Sequence, residues 1–223
     1  MKHIVAIRPE PGGAATVAAG AAVGLPIDNV PLFEVRGTPW TMPPGKFDGL
    51  LIGSGNVFNH AGPGLHHFRT VPVHCVGAAT AAVAHGAGFT VATRGEGGLQ
   101  QVLDTLAPQR LLRLAGKDRV PLVVPAGIEL ETRVVYDVAR LPMPASLAAR
   151  LAGTEALVVL HSAAAARHFA SECKRLELDR GRIALAALGP RIAAAAGAGW
   201  AAVRAAPQPN DAALLELARD MCH

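Results

Sequence analysis

The sequence predicts an α/β fold with two parallel-sheet domains, because one arrangement of strands and helices occurs twice in its 223 residues. The first copy opens with an apolar strand, residues 47–53, that runs into Ser54. The second copy opens with residues 155–161, a similar strand that runs into Ser162. Each serine begins a helix of small residues. Strands that alternate with helices favour parallel sheets joined by right-handed crossovers.

Both copies continue in the same order after these first helices. A second strand ends at Gly77 in one copy and at Gly189 in the other, and an Ala-rich helix follows each glycine. Gly-x-Gly followed by an aromatic residue comes next, in residues 86–89 and 197–200. A third strand and an amphipathic helix close each copy. The repeat therefore predicts two similar domains.

The chain begins with a predicted buried strand, since residues 4–7 are continuously apolar, as is typical of a parallel strand. A helix is predicted over residues 14–23 and an extended segment over residues 28–35. Proline and glycine then interrupt the chain between residues 36 and 45. We expect the first crossing between domains at this interruption.

The return crossing is predicted at residues 128–138, which are rich in the β-branched and aromatic residues that favour strands. We expect a short helix before it, over residues 118–125, and a pairing of the strand with residues 28–35. These crossings predict one discontinuous domain, one continuous domain and a connector of two strands: residues 1–33 with 139–223, residues 38–132, and residues 34–37 with 133–138.

Composition excludes several classes of function. Net charge is only +4, no run of basic residues exists and aromatic residues make up 4%, so no nucleic-acid surface is expected. The three cysteines have no paired spacing, which predicts neither a disulfide framework nor a zinc site. No stretch has the length of a membrane span, and the first residues do not form a signal peptide. We therefore expect a reduced, cytoplasmic protein.

Four small residues are predicted at the carboxyl ends of strands: Ser54 and Gly77 in one copy, Ser162 and Gly189 in the other. Ligands of open parallel sheets bind beyond this edge. Helix N-termini there attract anions through free N–H groups and the helix dipole, so a cleft between two such domains would suit a large anion. Each turn by itself is equally typical of any doubly wound fold, and only the duplication favours a site.

Two further side chains have both a structural and a functional interpretation. His161 ends a strand, where it either is a capping or exposed residue or donates to a ligand. Tyr136, the only tyrosine, either packs across strands or projects its hydroxyl toward a ligand. A nicotinamide site is not predicted, because Gly53-Ser54-Gly55 lacks the third glycine. Nucleophilic catalysis by serine is not predicted either, because the G-x-S-x-G pattern is absent.

A series of short pieces completes the pattern: Arg8-Pro9, residues 54–57, residues 76–81, residues 127–136, Leu160-His161-Ser162, Phe169, Leu188-Gly189-Pro190 and Pro207. In this order and spacing, over nearly the whole chain, they resemble the uroporphyrinogen-III synthase family. The resemblance implies two HemD-like, flavodoxin-like parallel-sheet domains joined by a two-stranded β connector. It also implies that no metal and no cofactor is needed. We expect a monomer.

The resemblance implies a reaction as well. The family converts hydroxymethylbilane, a linear tetrapyrrole with eight carboxylates, to uroporphyrinogen III through loss of a hydroxyl, a spiro intermediate and inversion of ring D. Tyr136 matches the family's tyrosine, which implies that it assists departure of the hydroxyl. The implied substrate-binding positions are Arg8, Ser54, Gly55, Asn56, Gly77, Ala78, Thr80, His161, Ser162, Ala163, Gly189, Pro190 and Arg191.

The sequence departs from the family pattern at four positions. Gly53 and His161 stand where the family usually has threonine, and Arg191 and Ile192 follow Gly189-Pro190 where it usually has threonine. Backbone contacts survive these changes and hydroxyl contacts do not. Two alternatives therefore remain open: a homologue that binds a tetrapyrrole or another polycarboxylate without turnover, and an unrelated two-domain sugar- or nucleotide-binding protein.

Overall fold

The computed structural model describes residues 2–222, and the chain divides into two compact units. The first unit consists of the residues up to Glu34 and those from Ala139 onward, and the second consists of Val35–Val138. The boundaries predicted from the sequence, at residues 33, 38, 132 and 139, lie near these positions. That the two units behave as separate domains stays a prediction.

Residues 2–222 contain eleven strands and eight α-helices. The strands are β1 (His3–Ala6), β2 (Ile27–Asn29), β3 (Phe33–Gly37), β4 (Gly49–Ile52), β5 (Val73–Val76), β6 (Val91–Gly95), β7 (Arg110–Gly116), β8 (Glu129–Arg140), β9 (Ala156–Leu160), β10 (Ile183–Ala187) and β11 (Ala202–Ala205). The helices are α1 (Gly12–Ala22), α2 (Asn56–His60), α3 (Ala78–Gly86), α4 (Leu99–Asp104), α5 (Ala145–Gly153), α6 (Ala163–Arg175), α7 (Pro190–Ala195) and α8 (Asp211–Met221).

The first unit is built on a five-stranded sheet with the order β11-β10-β9-β1-β2. Every neighbouring pair in it is parallel. The central strand β9 is buried along its whole length, as its continuous apolar sequence predicts. Apolar clusters cover both faces, one centred on Phe169 of α6 and the other on Leu214 and Leu217 of α8.

The second unit is built on a six-stranded sheet with the order β3-β8-β7-β4-β5-β6. The pairs from β8 to β6 are all parallel, so the predicted α/β class with parallel sheets is confirmed. The long strand β8 has β3 as a neighbour, but this partner begins at Phe33 rather than at residue 28. Residues 27–29 form β2 and belong to the other sheet.

The helix predicted over residues 118–125 is wrong. Residues 119–125 form neither helix nor strand, because so short a segment forms few helical hydrogen bonds and Pro125 lacks an N–H to donate. Side chains from the sheet and from α4 bind this segment instead. Arg113 donates a 2.8 Å hydrogen bond to the carbonyl of Val120, and Gln100 binds both the N–H and the carbonyl of Val123.

Two elements of the structure were not predicted, and one predicted helix begins later in the sequence than expected. The strand β7 adds a fourth strand after the three of the first repeat, and α5 follows the proline-rich turn after β8. The helix expected from Ser54 begins at Asn56 and has only five residues. The other strands and helices of the two repeats lie where the sequence predicts them.

Candidate functional site

The carboxyl edges of the two sheets carry the turns that the sequence indicated. Ser54 follows β4 and Gly77 follows β5 in the second unit, while Ser162 follows β9 and Gly189 follows β10 in the first. All four strands are parallel within their sheets, so each pair of turns lies on one edge. The first-turn N–H groups of α3 and α6 point beyond these edges without acceptors in their own helices.

The second unit has a cavity of about 420 Å³ at its carboxyl edge. Its walls come from the turn after β4, the end of β7, the segment after β7, the start of α4 and β8. Two of the predicted site residues, Ser54 and Tyr136, line it together. Tyr136 and the serine turn after β4 thus border the same cavity.

Tyr136 lies on β8 with only 9% of its surface exposed. Its ring packs in the apolar cluster with Leu112 and Leu114 of β7, and the side chain also borders the cavity. The ring therefore packs across strands, as the structural interpretation predicts. Donation of the hydroxyl to a ligand stays a prediction.

The neighbouring predicted residues lie outside this cavity. Gly55 and Asn56 begin α2, and Ser54 accepts a 3.3 Å hydrogen bond from the Asn56 N–H. Gly77 precedes α3 with a φ of 81°, a left-handed conformation that favours glycine. Two further residues form the start of the same helix, Ala78 exposed and Thr80 buried.

The first unit has its own cavity of about 360 Å³ at the carboxyl edge. It unites five of the predicted positions: Ser162, Ala163, Gly189, Pro190 and Arg191. The Ser162 hydroxyl caps α6 by accepting a 3.0 Å hydrogen bond from the Ala165 N–H. Arg191 is exposed, which places a guanidinium beside this cavity at a position where the family resemblance leads us to expect threonine.

The remaining predicted residues of the first unit, Arg8 and His161, belong to a polar cluster that includes Thr16 and Asp211. Arg8 donates to the Asp211 carboxylate at 3.2 Å and to the Thr16 hydroxyl at 3.3 Å. His161 Nε2 lies 3.3 Å from the other Asp211 oxygen and 3.5 Å from the Thr16 hydroxyl. Arg8 and His161 thus share one carboxylate.

His161 is held in its neutral form. Burial, followed by the nearby charge of Arg8, lowers the pKa of its imidazole to about 4, against the opposing effect of Asp211. A neutral ring that donates Nε2–H to the Asp211 carboxylate keeps Nδ1 as an acceptor. Nδ1 is buried without a hydrogen-bond partner among the described residues. The His161 side chain is only 9% exposed and belongs to this polar network.

Several polar residues around the predicted site residues were not predicted from the sequence. Arg113 lines the cavity of the second unit, together with Gln100, Asp118 and Arg119. The signal for Arg113 was a single charge inside the apolar strand Leu111-Leu112-Arg113-Leu114. Asp211 offered only its place after the capping residue Asn210, which is an ordinary helix start.

Three further observations on the described residues concern metal-ligating groups, cysteines and helix length. Residues 2–222 contain no group of three or more His, Cys, Asp or Glu side chains arranged to hold a metal ion. The three cysteines in the same range are buried and free, and burial raises the pKa of the Cys173 thiol to about 12. None of the helices formed by these residues is both long and apolar enough to cross a membrane.

One comparison with known proteins identifies a family. The model of the family described as uroporphyrinogen-III synthase HemD matches residues 30–216. A search of curated proteins finds no significant match. Among solved structures, the uroporphyrinogen-III synthetase of Helicobacter pylori superposes with a TM-score of 0.69 at 18% identity, over 99% of this chain and 100% of that chain.

A second solved structure is more distant. A mutant uroporphyrinogen III synthase of the extremely thermophilic bacterium Thermus thermophilus gives a TM-score of 0.52 at 15% identity, over 100% of this chain and 99% of that chain. At such identities the two structures show that the fold is shared. The family assignment depends instead on the sequence model, which covers most of the chain.

Proposed function

Because the chain belongs to the uroporphyrinogen-III synthase HemD family, we propose that it cyclises hydroxymethylbilane to uroporphyrinogen III with inversion of ring D. The resemblance seen in the sequence is thereby confirmed, and the activity is that of a cyclising lyase of porphyrin and heme biosynthesis. The substrate is a small molecule, a tetrapyrrole. The residue roles below are our proposal.

The observation that supports these roles best is the presence of a cavity at the carboxyl edge of each sheet. One contains Ser54 and Tyr136, and the other contains Ser162, Gly189 and Arg191. Backbone N–H groups at helix starts can bind carboxylates without the hydroxyls that the family usually has. A substrate with eight carboxylates offers several groups for such N–H donors.

Tyr136 is proposed as the acid that assists departure of the substrate's terminal hydroxyl. The hydroxyl leaves as water once it receives a proton, and the resulting carbon electrophile is attacked by ring D to give the spiro intermediate. The spiro intermediate then opens and recloses with the ring inverted. Little further acid–base chemistry is needed, because holding the reacting carbons in place supplies most of the selectivity.

The remaining predicted site residues are proposed to bind carboxylates or to shape the turns that do so. Gly55, Asn56, Gly77, Ala78 and Thr80 form the starts of α2 and α3. In the first unit Ala163 and Pro190 open α6 and α7. Arg8 and His161 act as a pair through Asp211. We propose that no metal and no cofactor takes part.

Arg191 is proposed to replace the family's threonine as an anion-binding group. Its guanidinium is exposed beside the cavity, where it can donate hydrogen bonds to a carboxylate that a hydroxyl would otherwise bind. The same property would suit a homologue that only holds a polycarboxylate. We further propose that the chain works as a cytoplasmic monomer without nucleic-acid or membrane partners. Sedimentation of the purified chain would test whether it is a monomer.

The decisive experiment is incubation with freshly generated hydroxymethylbilane, followed by separation of the uroporphyrinogen isomers. Spontaneous closure gives the type I isomer, so an excess of the type III isomer over a protein-free control measures the activity. We expect type III to dominate. Formation of type I alone, in the presence of folded protein, would contradict the proposed function and favour the non-catalytic binding homologue.

A further inference from the structure

Arg113 is a buried charge without an acidic partner. Only 7% of its surface is exposed. One Nη donates to the Val120 carbonyl at 2.8 Å, while Nε is buried and has no hydrogen-bond partner. Within residues 2–222 Arg113 takes part in no ion pair. Its guanidinium therefore has donors to spare.

Such an arrangement is unfavourable in the empty protein. A charge removed from water without a counter-ion loses favourable solvation, and a buried N–H without an acceptor adds to that loss. The strain on the charge is visible in its pKa, which burial lowers, with a further lowering by the charge of Arg119. An anion beside Arg113 would relieve both effects.

The space for that anion lies next to the guanidinium. Arg113 lines the cavity of about 420 Å³ together with Ser54 and Tyr136. Gln100 lines it as well, but its amide already binds Val123 and Asp104. Asp118 and Arg119 border it from exposed positions. Among the described residues that line this cavity, Arg113 is thus the buried donor that remains incompletely hydrogen-bonded.

We propose that Arg113 binds one carboxylate of the linear tetrapyrrole in this cavity, beside the tyrosine proposed as the acid. The inference depends on the proposed function for the identity of the ligand and extends it to a residue outside the family pattern noted above. A guanidinium can donate two parallel N–H bonds to a carboxylate. Such a clamp would fix the orientation of one pyrrole ring relative to Tyr136.

The test compares three variants of the full chain with the unaltered protein. Arg113→Met removes the charge at similar length, and Arg113→Lys keeps the charge without the fork. Arg69→Met is the matched control, because it removes an exposed positive charge of the same unit before β5, at the opposite edge of the sheet. The probe is uroporphyrin III, a stable octacarboxylate whose fluorescence reports binding without turnover.

We expect Arg113→Met to weaken uroporphyrin III binding about tenfold or more, since hydrogen bonds to charged groups are the strong ones. Arg113→Lys should lie between that variant and the unaltered chain, and Arg69→Met should change affinity less than about twofold. In the isomer assay the KM for hydroxymethylbilane should rise for Arg113→Met while the share of type III product is retained.

A purely structural role for Arg113 predicts a different result. If it only anchors the Val120 carbonyl, Arg113→Met would lower the urea midpoint of unfolding and leave the affinity of the folded fraction unchanged, which would overturn the proposal. Should Arg113→Met not fold, Arg113→Lys decides, and affinity and KM equal to those of the unaltered chain would overturn it. Failure of the unaltered chain to bind uroporphyrin III would also overturn it.

The outcome is separable from that of the proposed function. A chain that makes type III product but is indifferent to Arg113 substitutions retains its function and loses this binding role. A chain that binds uroporphyrin III through Arg113 but makes only type I product retains the binding role and loses the activity. The binding and isomer measurements therefore test the two proposals independently.

Discussion

The ring of Tyr136 lies against the backbone of Gly116, its register partner on the neighbouring strand β7. A Cβ at Gly116 would lie 2.6 Å from Tyr136 Cε2 and 3.0 Å from the hydroxyl oxygen, which is too close for a real contact. Only glycine at position 116 leaves room for this ring. The position of the proposed acid is therefore determined by a residue on β7, outside the serine and glycine turns.

Replacement of Tyr136 by phenylalanine tests the acid role most directly. The ring keeps its place beside Gly116, and only the hydroxyl is lost. If the hydroxyl protonates the leaving group, the rate of type III formation should fall roughly 10²-fold, the low end for a positioned acid. The measurement is the type III rate above the spontaneous type I background. A variant with full activity would leave conformational steering as the whole mechanism.

Loss of the Ser162 hydroxyl should affect stability more clearly than catalysis. Its oxygen caps α6 by accepting from the Ala165 N–H, so Ser162→Ala should destabilise the protein by about 1 kcal/mol in urea unfolding. Type III formation should fall less than about tenfold, because one hydrogen bond to substrate is lost at most. Ser162→Asp provides the control, since aspartate caps the helix equally well and should restore stability.

Substitution of Gly189 should affect type III formation more clearly than stability. Its φ of −171° is extended backbone that any residue adopts, and an added Cβ would meet no atom within 4 Å. Gly189→Val should therefore destabilise the protein by no more than about 1 kcal/mol, the cost of valine in place of glycine just before α7. A bulky side chain in the first-unit cavity should nevertheless lower type III formation more than tenfold, which is more than Ser162→Ala does.

The matched control for this substitution is Gly153→Val at the end of α5, where an added Cβ also meets open space. We expect it to leave both stability and type III formation unchanged. If Gly189→Val were as active as the unaltered chain, the prediction that the substrate lies close to the backbone of Gly189 would be wrong.

The repeated Ser and Gly turns allowed both sheet edges to be located from sequence, because a strand that ends at a small residue has a local signature. The residues that contact those turns have no such signature in the sequence. Thr16 and His161 meet across 145 positions of sequence, and only the parallel pairing of β1 with β9 brings them together. The spacing of residues along the chain carries no information on such a meeting.

The wrong helix at residues 118–125 has a related cause. Its sequence places a proline where a first helical turn tolerates one, and this favoured a helix. In the structure the side chains of Arg113 and Gln100 provide the partners for the segment's main chain, so tertiary contacts replace the helical hydrogen bonds. Arg113 itself was visible as a charge within an apolar strand, but its meaning depended on a cavity formed by distant segments.

The pH dependence of stability should reveal the buried His161. Folding lowers its pKa from 6.5 to about 4, so the unfolded chain binds the proton more readily than the folded one. Between these two values stability must fall as pH falls, and the contribution is fully present only above about pH 6.5. Between pH 7 and pH 4.5 this amounts to roughly 2 kcal/mol.

His161→Thr removes the titrating group and restores the residue that the family resemblance leads us to expect there. Urea unfolding at pH 7, 6, 5 and 4.5 should show a shallower loss of stability for this variant than for the unaltered chain. His85→Asn is the control, because His85 is exposed at the end of α3, and it should retain the full slope. His74, whose pKa is also lowered by burial, should preserve part of the slope in every variant. Equal slopes for His161→Thr and the unaltered chain would mean that His161 remains able to bind a proton in the folded state, contrary to its burial beside Arg8.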